Sequence, residues 1–113
     1  MRSPGVALQE FAIQTEDGVK VPDVVWLTPE ELATARDVSI TDKAPRICVE
    51  VKSKGNTAKE IGEKAQLYFA QGAKEVWVCD LDGNVSFLDA EDGPKHQSFF
   101  CPDFPTLIDP FKI

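Results

Sequence analysis

The sequence predicts an α/β fold, a mixed β-sheet built round a central βαβ unit and closed by a C-terminal β-meander. Three observations carry this. "ICVEVKS" and "KEVWVCD" are short apolar runs rich in β-branched residues. Between them, "TAKEIGEKAQLYFAQG" has helical spacing, with capping chemistry at one end and glycine at the other. Downstream, Asp82-Gly83 and Asp92-Gly93-Pro94 separate further strand-length runs at hairpin spacing. A strand, a helix and a strand over 47–80 should cross right-handed and leave their strands parallel, whereas the hairpins add antiparallel neighbours.

In chain order, residues 8–13 suit a short strand, and Glu16-Asp17-Gly18 suits a turn into a second strand over 19–27. Pro22 has no N–H to donate, so this strand belongs at an edge or starts its pairing late. Thr28, Pro29 and Glu31 form helix-start chemistry, namely an N-cap, a first-position proline and the acidic half of a capping box. A short helix follows, then a polar surface loop over 35–45. Thr57 and Glu60 repeat the capping box, and the helix they open should run to about Gln71 and stop at Gly72. Ile61, Ala65, Tyr68 and Gly72 form its core stripe. Strands over 74–80, 84–89 and 96–100 complete the sheet. The run Asp80-Leu81-Asp82-Gly83-Asn84 has neither the spacing nor the final glutamate of a calcium loop, so it reads as a hairpin turn.

The composition narrows the function classes. A chain of 113 residues suits one domain. No apolar run reaches the roughly 18 residues that span a bilayer. Residues 1–5 have no apolar stretch behind them, so no secretory signal is expected. Cys48, Cys79 and Cys101 are widely spaced, and His96 is the single histidine. These suit free thiols in a reducing cytoplasm rather than zinc or disulfides, and His96 is given no role. A net charge of −7 argues against broad non-specific binding of nucleic acid. It is compatible with carboxylates gathered round a cation that itself faces phosphate.

The run "ICVEVKS" holds the chemical interest. Alternation sets Ile47, Val49 and Val51 on one face and Cys48, Glu50 and Lys52 on the other. Buried ionisable groups are costly unless they are paired, wet or coordinating. With Pro22-Asp23 at the head of a neighbouring strand, Asp23 and Glu50 are candidate ligands for Mg²⁺ or Mn²⁺. Lys52, about 7 Å along from Glu50, is a candidate to orient an attacking water, with Lys64 on the packed helix in support. Each residue also has a plain structural alternative. Glu50 and Lys52 could line a solvated strand face, Asp23 could cap a local turn, Lys64 could snorkel from the edge of the helix stripe, and Tyr68 could be core.

"VPDVVWL", "ICVEVKSKGNTAKEIGEKAQLYFAQGAKEVWVCD" and "FFCPDFPTLIDPF" together resemble the Uma-type restriction endonuclease family, DUF820, within the PD-(D/E)XK nuclease superfamily. The resemblance implies a restriction-endonuclease-like domain, shortened at the N-terminus, that hydrolyses DNA phosphodiester bonds with Mg²⁺ or Mn²⁺. It implies metal ligation by Asp23 and Glu50 and catalytic roles for Lys52 and Lys64, and it suits a homodimer, while a cytoplasmic location with no membrane contact is expected from the composition. Relatives have further structure ahead of the Pro-Asp strand that can contribute another acidic group; Glu10 is the candidate here. The alternative is a catalytically inactive member of the same fold, acting as a binding or assembly module. The acidic balance and the short run before Asp23 favour that alternative, whereas the retained Asp, Glu and Lys favour the nuclease.

Overall fold

The structure, a computed structural model, describes residues 5–9, 11–35 and 39–106. The predicted βαβ unit is present as β5 (Ile47–Val51), α2 (Ala58–Ala70) and β6 (Glu75–Cys79), with β5 and β6 parallel and Glu50 opposite Val78. β7 (Val85–Asp89) and β8 (Gly93–Lys95) continue antiparallel as the meander. On the other side of β5 lie β4 (Val24–Leu27) and then β1 (Val6–Leu8), giving a six-stranded mixed sheet in the order β1-β4-β5-β6-β7-β8. β2 (Ile13–Thr15) and β3 (Gly18–Lys20) form a separate two-stranded hairpin, and α1 (Pro29–Ala35) follows β4.

Local chemistry explains the element ends. At α2 both halves of the capping box form: the Glu60 amide donates to Thr57 Oγ1 at 3.1 Å, and the Thr57 amide to Glu60 Oε1 at 3.4 Å. The helix closes at Gly72, whose φ of 104° few side-chain-bearing residues tolerate. Thr28 and Glu31 make the matching box at α1. The sheet is buried on both faces. Val25, Leu27, Cys48 and Val76 pack with Ala65 and Tyr68 of α2, while Trp26, Ile47, Trp77 and Phe87 pack with Cys101 and Phe104 of the closing segment.

Three expectations need correction. Residues 8–13 are not one strand: β1 ends at Leu8 and pairs with β4, while β2 starts at Ile13 and pairs with β3. The run 19–27 is broken likewise, because Pro22 interrupts the ladder and β3 and β4 join different sheets. Among the described residues the last strand is β8, ahead of 96–100. Those residues turn aside because the Ser98 hydroxyl and the Phe99 amide donate to the Glu75 carboxylate at 2.5 and 2.7 Å instead of to a strand partner. Among the described residues no helix is long and apolar enough to cross a membrane.

Candidate metal centre

The antiparallel register of β4 and β5 pairs Val24 with Val49 and Val25 with Cys48. Continuing it by one step sets Asp23 opposite Glu50, at the end of the sheet where β5 stops. The Asp23 carboxylate is fixed there by a long-range bond, not by a local turn, since Oδ2 accepts the Val51 amide N–H at 2.7 Å. Asp23 is exposed and Glu50 is only 3% exposed. One carboxylate therefore meets water and the other backs onto the core.

Glu50 sits beneath α2 and has a partner for each oxygen. The Tyr68 hydroxyl donates to Oε1 at 2.5 Å, and the Lys64 ammonium lies 3.8 Å from Oε2. Lys64 and Tyr68 are four residues apart, so one helix face delivers both. The Glu50 carboxyl is held above the usual glutamate range, chiefly by burial. The Tyr68 hydrogen bond and the Lys64 charge pull it down, and the neighbouring Asp23 carboxylate pushes it up. Burial and the Glu50 contact raise the Tyr68 hydroxyl strongly, so at neutral pH it is a proton donor. Cys48, on the same strand face, is raised by burial and then by Glu50, so it stays a thiol.

Lys52 lies one residue beyond the end of β5, half-buried, with its amide N–H donating to the Cys79 carbonyl at 2.8 Å. Among the described residues it makes no ion pair. The structure thus brings Asp23, Glu50 and Lys64 together and puts Lys52 at the same sheet end. Glu10 lies outside the described residues. Tyr68 is both core and site, and the signal for its second role was present in the sequence as a polar tip four residues after Lys64. Glu75, a second buried acid, was missed altogether. It accepts from Trp77 Nε1, Ser98 Oγ and the Phe99 amide on the opposite sheet face. Trp77 is only two residues away, but Ser98 and Phe99 lie too far along the sequence for local pattern to reveal them.

These donors fit a small hard cation. Two carboxylates lie side by side, Glu50 raised chiefly by burial and further by Asp23, and a cation between them would relieve that repulsion. Among the described residues no group of three or more His, Cys, Asp or Glu converges on one point. Two carboxylates would leave most positions round an oxygen-liganded cation to water or phosphate oxygens. The Asp80 carboxylate, at the neighbouring strand end, is taken up by the hairpin turn: Oδ1 accepts the Asp82 and Asn84 amides, both at 2.9 Å. These and other backbone donors hold the Asp80 carboxyl below its usual range.

Comparison with known proteins agrees with the fold. In fold the chain is similar to the crystal structure of "a putative nuclease belonging to DUF820" from Anabaena variabilis ATCC 29413, with a TM-score of 0.68 and 16% identity over 80% of this chain. The chain spans 53% of that protein's length, about half. No curated protein matches. The profile of the Uma2 family, described as "Putative restriction endonuclease", matches residues 2–103. A match over nearly the whole sequence shows that the chain belongs to the Uma2 family.

Proposed function

We propose that the chain is a divalent-metal-dependent endonuclease domain that hydrolyses DNA phosphodiester bonds. The observation that supports this most is the cross-strand pair Asp23 and Glu50, held by Val51 and Tyr68 and flanked by Lys52 and Lys64. Asp23 and Glu50 would hold the cation, and a bound Mg²⁺ or Mn²⁺ would neutralise phosphate charge and lower the barrier to attack by water. Lys52, without an ion-pair partner among the described residues, orients the attacking water and steadies the charge that develops on phosphate. Lys64 balances the Glu50 charge and, being 37% exposed, can swing from it when a cation arrives. A homodimer belongs to the same proposal, because cutting both strands of a duplex calls for two copies of one site related by a twofold axis.

The test is cleavage of supercoiled plasmid with Mg²⁺ or Mn²⁺, with and without chelator. The reading expects nicking that needs the cation and disappears in Glu50→Ala. A folded protein that leaves the plasmid intact with either ion is the non-catalytic assembly module instead.

A further inference from the structure

Glu50 and Asp23 share an arrangement with a consequence for which cation they accept. Each has one oxygen fixed by a protein donor: Glu50 Oε1 by the Tyr68 hydroxyl at 2.5 Å, and Asp23 Oδ2 by the Val51 amide at 2.7 Å. The Tyr68 ring is fully buried among Ile13, Val25, Leu27, Cys48, Ala65 and Val76, so its hydroxyl cannot leave Oε1 unless the core opens. Oε2 is held differently, by a partly exposed lysine at 3.8 Å, a long and loose ion pair that an incoming cation can displace. Oε2 is thus the Glu50 oxygen that a cation can reach by displacing only a loose partner.

The number of oxygens that a carboxylate offers separates small from large divalent ions. Ca²⁺ takes six to eight oxygens at variable angles and is readily served by both oxygens of one carboxylate, whereas Mg²⁺ takes six in near-ideal octahedral order and keeps several waters. On the metal-site reading above, we infer that the Tyr68 hydroxyl is a specificity-determining group: by tying Glu50 Oε1 to a buried ring and taking up one of its lone pairs, it disfavours two-oxygen ligation by Glu50, and so Ca²⁺ relative to Mn²⁺ and Mg²⁺. Tyr68 is a positioning residue that touches neither cation nor substrate and acts through the Glu50 carboxylate.

The test compares Mn²⁺ and Ca²⁺ affinities by calorimetry in the wild type and in Tyr68→Phe, which removes the hydroxyl and keeps the ring. The wild type should favour Mn²⁺, and Tyr68→Phe should narrow the ratio of the two affinities by about tenfold. An unchanged ratio assigns Tyr68 to the core alone and overturns the inference while leaving the metal site intact. A wild type that binds neither cation overturns the metal reading, and this inference with it. The wild type supplies a second readout that does not depend on the variant's folding. In infrared difference spectra with isotope-labelled glutamate, the cation-bound Glu50 carboxylate should show the wide stretch splitting of one-oxygen ligation. The narrow splitting of two-oxygen ligation contradicts the inference.

Discussion

Glu50→Gln should make the protein more stable as it removes a cation ligand. The side chain keeps its volume, and its amide oxygen can still accept the Tyr68 hydroxyl, which now meets the carboxylate at 2.5 Å. What disappears is one charge. Its attraction to Lys64 at 3.8 Å is worth about 4 kcal/mol gross at an effective dielectric near 20. Against it stand a burial penalty of roughly several kcal/mol for a carboxylate out of water and repulsion from Asp23. The raised Glu50 pKa says that the opposing terms win, so losing the charge should raise Tm wherever the wild-type carboxyl is ionised. The pH dependence follows from the sign. Because the folded value lies above the ordinary 4.5, the folded state binds the extra proton, and wild-type stability falls as pH rises from 4.5 through that raised value. Gln does not titrate. Thermal melts in chelator should therefore show the variant's advantage growing from near zero at low pH to its full size at a pH where the wild-type carboxyl is ionised. A Glu50→Gln protein less stable than wild type at that pH would refute the account of a charge held at a cost.

Other outcomes are equally specific. If metal-dependent cleavage is measured, Lys52→Ala should slow it by about two orders of magnitude or more, the usual loss for one electrostatic or acid–base group. Wild-type cleavage in Lys52→Ala with inactivity in Lys64→Ala would transfer the role to the helix lysine. Glu75→Ala leaves Trp77 Nε1, Ser98 Oγ and the Phe99 amide without their acceptor. It should lower stability by about 3 kcal/mol or more in urea unfolding, and an unchanged midpoint would contradict that bonding. Thr57→Ala should cost about 1 kcal/mol by the same assay, through loss of the α2 cap.

The parts of the fold legible in the sequence are those whose determinants are local. Thr57 with Glu60, Gly72 and the Asp82-Gly83 turn each act within a few residues, and the elements they bound are in place. The N-terminal strands were harder, because Leu8 and Ile13 look like one run yet pair with partners in different sheets. Pro22 carried the signal for the break between β3 and β4, but not where each piece would go. The same divide runs through the site. Asp23 and Glu50 were singled out as candidates from their strand positions, whereas the closeness of Lys64 and Tyr68 to Glu50 depends on how α2 rotates over β5, a tertiary fact. Lys52 seemed fixed to Glu50 by strand geometry, but β5 ends at Val51, one residue short of it.

The central claim is that Asp23 and Glu50 form a cation site, and titration of Mn²⁺ followed by calorimetry tests it most directly. Saturable binding in the wild type, abolished in both Asp23→Ala and Glu50→Ala while the folded melt is retained, is the expected result. No heat of binding in the wild type, or Mn²⁺ binding unchanged in Glu50→Ala, contradicts the claim.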